Sequence, residues 1–94
     1  MTTPQSAPHS AGAPRMKATI LVRPKPGILD AQGEAVETAL EHLGFAVAGA
    51  RVGKVIDLEV QAADAAEARA RVEEMCVKLL ANPLIESYDV EIHG

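Results

Sequence analysis

With 94 residues, nine basic against thirteen acidic side chains and only 2% aromatic content, the chain carries a formal net charge of −4. A surface of that sign disfavours a nucleic-acid backbone as partner, and Phe45 and Tyr88 are too few to stack bases. The length suits one domain, no apolar run approaches a membrane span, and the lone Cys76 excludes an intrachain disulfide and a cysteine-cluster metal site.

Residues 1–15, MTTPQSAPHSAGAPR, are rich in Pro, Ser and Ala without hydrophobic periodicity and are expected to form a disordered extension, leaving one domain over 16–94. They contain no apolar stretch of the kind a signal peptide needs, and one arginine is too few for a transit peptide; a cytoplasmic protein fits best. From Met16 onward eight basic residues face thirteen acidic ones, a net of −5. A domain this short buries only roughly 60% of its unfolded surface, so self-association is a plausible supplement to its stability.

Lys17 to Arg23 is a β-branched run that ends at Pro24, as a first strand should. The loop Arg23 to Gly33 then stops the strand and starts a helix. Pro24 and Pro26 hold it rigid, Gly27 permits a φ that other residues resist, and Asp30 is placed to cap the helix through the N–H of Gln32 or Gly33. Val36, Ala39, Leu40 and Leu43 recur at helical spacing, and Gly44 supplies the residue after the C-cap.

From Ala46 to Val60 the alternation favours one long strand or a bulge over a tight hairpin at Gly53-Lys54. In that register Ala48, Ala50, Val52, Ile56, Leu58 and Val60 share a face and only Lys54 breaks it. Such a strand would span about 50 Å, more than a domain of this size needs, and would want a partner outside its own fold. Asp64 and Glu67 read as a capping box for a second helix to Ala81, with Ala68, Val72, Met75, Cys76, Leu79 and Leu80 as its buried stripe. Asn82-Pro83 ends it, and Leu84 to Ile92 forms a last strand with Tyr88, Val90 and Ile92 inward.

The order β-α-β(β)-α-β predicts an α+β, two-layer fold: an antiparallel sheet with both helices on one face, ferredoxin-like or a relative. If the middle element is two strands, Arg23, Lys25, Arg51, Lys54 and Asn82 gather at one edge as a basic patch on an acidic protein. Nothing in the sequence looks catalytic. His9, His42 and His93 are too scattered for a metal site or a triad, phosphate-binding glycine motifs are missing, and Cys76 sits on an apolar stripe. The acidic helix faces read as solvated surfaces, with Arg71 and Lys78 four residues after Glu67 and Glu74.

Four segments, in order and spacing, closely resemble the PurS family: KPGILDAQG (Lys25 to Gly33), LGF (Leu43 to Phe45), RVGK (Arg51 to Lys54) and EEMCVKLLANPLIESY (Glu73 to Tyr88). This family supplies the small subunit of the multi-subunit phosphoribosylformylglycinamidine synthase of purine biosynthesis. The resemblance implies a non-catalytic assembly subunit without a cofactor. It implies a homodimer that bridges an ATP- and Mg-dependent synthetase, PurL, and a glutaminase, PurQ, and assists ammonia transfer. The ligase, ATP-binding and nucleotide-binding attributes attach to that enzyme. Arg23, Lys25, Pro26, Gly27, Arg51, Lys54 and Asn82 are the expected partner-binding residues; Asp30, Gly33, Gly44, Gly53 and Pro83 the structural ones. A small ligand-sensing dimer of the ACT type, with its ligand near the first strand-to-helix loop, is the alternative.

Overall fold

The computed structural model describes residues 14–93. Of the expected extension, residues 1–15, all but Pro14 and Arg15 lie outside the described residues, and Arg15 opens the first strand. β1 (Arg15–Pro24) is the central strand of a three-stranded antiparallel sheet, flanked by β2 (Lys54–Gln61) and β3 (Glu86–His93) in the order β2-β1-β3. Ile20 stands between Ile56 and Val90, and Ala18 between Leu58 and Ile92. Period-two alternation therefore puts Ala18, Ile20, Val22, Val60, Val90 and Ile92 on one face. The other face carries Lys17, Thr19, Asp57, Glu59 and Glu91 to solvent, with Thr19 donating to Asp57 Oδ1 at 3.0 Å.

α2 (Ala65–Met75) packs on the apolar face and contacts all three strands, burying Ala68 and Val72. Its start is the expected capping box in a slightly shifted form. Asp64 Oδ1 accepts the Glu67 N–H at 2.8 Å, while the Glu67 carboxylate reaches one residue further back, to the Ala63 N–H, at 2.6 Å. The pairs Arg71–Glu67 and Lys78–Glu74 form at 2.9 and 2.8 Å. The helix does not run on as α to Ala81. From Cys76 to Leu80 it widens into a π-turn, closed by the Ala81 N–H on the Cys76 carbonyl at 2.9 Å. That extra residue per turn rotates the stripe: Cys76 and Ala81 are buried, whereas Leu79 is 82% exposed and Met75 lies outside the core.

Two expectations about placement change. The α+β, two-layer class holds, but only α2 covers the sheet; α1 (Ala31–His42) stands off it, and Gly33 is its one buried residue. Val36, Ala39 and Leu43, expected in the core, are exposed, and Leu40 is half-buried. The long strand from Ala46 is also corrected, because β2 begins only at Lys54, opposite Val22. β1 ends two residues after Val22 at Pro24, so a strand extended backward from Lys54 would have no ladder to join. The alternating positions there are mostly alanines, which bury too little to hold a strand by packing alone.

The end of α1 matches its sequence signal. Gly44, at φ +96°, forms a Schellman closure: the Phe45 N–H reaches the Leu40 carbonyl at 3.0 Å and the Gly44 N–H that of Glu41 at 3.0 Å.

Candidate functional site

Three loops meet at the end of the sheet where β1 finishes: 24–30 before α1, 50–53 before β2, and 81–85 before β3. Their junction is built by hydrogen bonds. The Lys25 N–H donates to the Ile85 carbonyl at 2.9 Å, tying the first loop to the third. Arg51 ties the second to the first, its Nη1 donating to Ile28 O at 3.2 Å and its Nη2 to Lys25 O at 2.7 Å and Pro24 O at 3.4 Å. A guanidinium suits this task because its planar fork of donors meets several carbonyls at once.

Asp30 locks the same junction. Its Oδ1 accepts the Gly33 N–H at 3.0 Å as the N-cap of α1, and its Oδ2 accepts the Val52 N–H at 2.8 Å. The Val52 N–H above all, then that of Gly33 and the charge of Arg51, hold the Asp30 carboxyl below the usual carboxylate range. A carboxyl lowered on folding contributes stability that is complete above its unfolded value, roughly pH 4, and is lost as pH falls through the lowered value. Acidification should therefore release the Val52 and Gly33 amides together. An NMR titration from pH 5 to pH 2 should show both shifting with one midpoint below that of a free aspartate, and Asp30→Asn should remove the transition.

The expected partner-binding residues thus divide. Arg51 and Asn82 are spent internally: the Asn82 carbonyl accepts the N–H groups of Ile85 and Glu86, and its Oδ1 accepts that of Leu84 at 3.1 Å. Pro83 sits inside this turn, and Arg23 reaches Asp89 at 3.7 Å on the exposed sheet face. Lys25 and Lys54 have ammonium groups without an ion-pair partner among the described residues, and Pro26 and Gly27, the latter at φ +84°, form the exposed tip. Gly33 and Gly53 are places of close approach. A Cβ on Gly33 would strike the Ala50 carbonyl oxygen and the Asp30 carboxylate; one on Gly53 would strike the Val22 carbonyl oxygen.

Sequence reasoning missed the apolar part of this corner. Leu29 and Leu84 are exposed at 77% and 83% on adjoining loops. Their signal was present in Ile28-Leu29 and Leu84-Ile85, apolar pairs in loops beside prolines, of which Leu29 and Leu84 stay exposed among the described residues. Together they make a mixed surface of two free cations and two large apolar side chains on a hydrogen-bonded frame. Such a surface can dock a partner. Asp30 and Arg51, at the same loop, are engaged by backbone groups.

Among the described residues no group of three His, Cys, Asp or Glu side chains is placed to hold a metal, and no helix is long and apolar enough to cross a membrane. Burial, assisted by the nearby charge of Glu73, pushes the Cys76 thiol up, away from the reactive thiolate.

A family model described as PurS, phosphoribosylformylglycinamidine (FGAM) synthase, matches residues 17–94. The chain belongs to the PurS family. The PurS subunit of phosphoribosylformylglycinamidine synthase from Methanocaldococcus jannaschii is 38% identical over 77 residues, covering 81% of this chain and 93% of that protein. The PurS crystal structure from Thermotoga maritima superposes with a TM-score of 0.78 at 36% identity, covering 89% of this chain and 98% of that one. A chain of the PurLQS structure from the same organism gives 0.76 at 38% identity, covering 84% and 98%. The three-stranded sheet with two helices is thus the PurS fold. The ligase, ATP-binding and nucleotide-binding attributes do not fit this subunit.

Proposed function

We propose that this chain is a non-catalytic assembly subunit of phosphoribosylformylglycinamidine synthase. It acts in the cytoplasm as a homodimer that joins the ATP- and Mg-dependent synthetase subunit, PurL, to the glutaminase subunit, PurQ, and so assists ammonia transfer between them. The observation that carries this reading is the likeness to a chain of the PurLQS structure across nearly all of that chain. The corner formed by Lys25, Pro26, Gly27, Leu29, Lys54 and Leu84 supports it, because it is tied down by hydrogen bonds at its base and exposes two large apolar side chains.

Charge reversal at Lys25 is the informative change. Its backbone is fixed to Ile85 while its ammonium is free, so Lys25→Glu alters charge without removing a contact of the fold. The variant should melt within about 1 °C of the wild type, as surface substitutions do, yet bind a synthetase-glutaminase mixture about ten-fold more weakly in a size-exclusion titration. Binding as tight as wild type would remove Lys25 from the docking surface.

A further inference from the structure

The exposed tip of the first loop is a type II β-turn. Pro26 fixes the first central φ, Gly27 takes the positive φ, +84°, that the second requires, and the Ile28 N–H closes the turn on the Lys25 carbonyl at 3.1 Å. From Pro26 to Leu29 this is the one hydrogen bond donated by a backbone amide among the described residues. A surface turn closed by a single such bond opens readily.

Arg51 holds this turn from a different loop. Its Nη2 donates to the carbonyl of Lys25, the first residue of the turn, at 2.7 Å, and its Nη1 to that of Ile28, the last, at 3.2 Å. One planar fork therefore spans both ends. The guanidinium makes no ion pair among the described residues, so its directed contacts all go to this turn and to Pro24 just before it. The backbone that delivers it is secured separately, because the next residue, Val52, donates its N–H to Asp30 Oδ2 at 2.8 Å. Lys25 is the residue most affected. Its N–H is held by Ile85 and its carbonyl by both Ile28 and Arg51, which together fix the direction in which its side chain leaves the backbone.

We infer that Arg51 is a positioning residue for partner binding: it sets the affinity of the corner by holding the turn from Lys25 to Ile28 in one conformation, without touching the partner. This rests on the docking reading above and names the group on which the presentation of Lys25 depends. A partner surface that meets Lys25 gains most when the loop is already ordered, since ordering it at the moment of binding opposes association. The fork of Arg51 matters here rather than its charge. A lysine in its place keeps the charge, but a single ammonium cannot serve carbonyls at both ends of the turn.

The test uses the full chain in three forms, Arg51→Lys, Lys25→Ala and the two combined, each titrated calorimetrically against a synthetase-glutaminase mixture. Arg51→Lys and Lys25→Ala should each weaken binding about five-fold. The combined variant should also lose about five-fold rather than about twenty-five-fold, because both changes act through one side chain. In the free protein, hydrogen exchange at the Ile28 amide should quicken about ten-fold in Arg51→Lys while the amides of β1 keep their protection. Arg51→Lys binding as tightly as wild type, with Lys25→Ala weakened, would overturn the positioning role and leave the corner standing. Losses that multiply in full would overturn it by giving Arg51 a contact of its own, and exchange quickened throughout the chain would overturn it by making Arg51 a residue of general stability. Lys25→Ala binding as tightly as wild type would overturn the docking corner, and the positioning role with it.

Discussion

Replacing Ile20 by alanine should cost the fold about 3 kcal/mol and lower its melting temperature by about 15 °C. Ile20 is fully buried at the centre of the middle strand, between Ile56 and Val90 and within the core that includes Val72 and Cys76. The removed atoms leave a void that neighbours on both strands cannot fill without breaking register, which places the loss well above that of a surface change. Small domains have little stability in reserve, so a large part of the total goes with one side chain. Thermal unfolding followed by circular dichroism would measure it; a shift of only a degree or two would mean that the three-stranded sheet and α2 are not the stabilising unit.

Gly33→Val should have the second large effect, by a different route. The glycine is buried in the first turn of α1, where the Ala50 carbonyl oxygen and the Asp30 carboxylate occupy the space a side chain would need. Because the obstacle on one side is backbone, the loop at 50–53 has to move, and the hydrogen bond from Val52 to Asp30 is lost with it. Overpacking of this kind costs about 1–3 kcal/mol. The damage should be local: exchange protection at the Val52 and Glu34 amides should collapse while β1 and β3 keep theirs. Unchanged protection at Val52 would show that the clamp at the base of α1 is not what Gly33 secures.

Much of this architecture was legible in the sequence because it is determined locally. Pro24 ended β1, Asp30 and Asp64 capped their helices, Gly44 closed α1, and alternation in β1, β2 and β3 assigned inner and outer faces correctly. The departures have separate causes. An apolar stripe such as Val36, Leu40 and Leu43 marks one side of a helix as apolar, but does not say whether its own sheet lies against that side; here Val36 and Leu43 are exposed. The alanine alternation from Ala46 to Ala50 resembled a strand, yet the end of β1 at Pro24 leaves it no ladder. The π-turn at Cys76 altered which leucines face inward without any mark in the pattern.

The candidate corner was legible in outline. Two prolines and a glycine identified a rigid loop, and the basic residues were rightly placed near it. Their division of labour was not readable, because only the folded geometry brings the Arg51 guanidinium to the carbonyls of Lys25 and Ile28. Lys25 and Lys54 keep free charges for the same reason: among the described residues no carboxylate is brought within reach.

On the proposed function, this chain connects two activities and performs neither. This is tested most directly by measuring amidation of formylglycinamide ribonucleotide in a reconstituted mixture of synthetase and glutaminase, with and without this chain, using either glutamine or ammonium as nitrogen source. Omission should abolish the glutamine-dependent reaction and spare the ammonium-dependent one. Glutamine-dependent activity unchanged by omission would contradict the account.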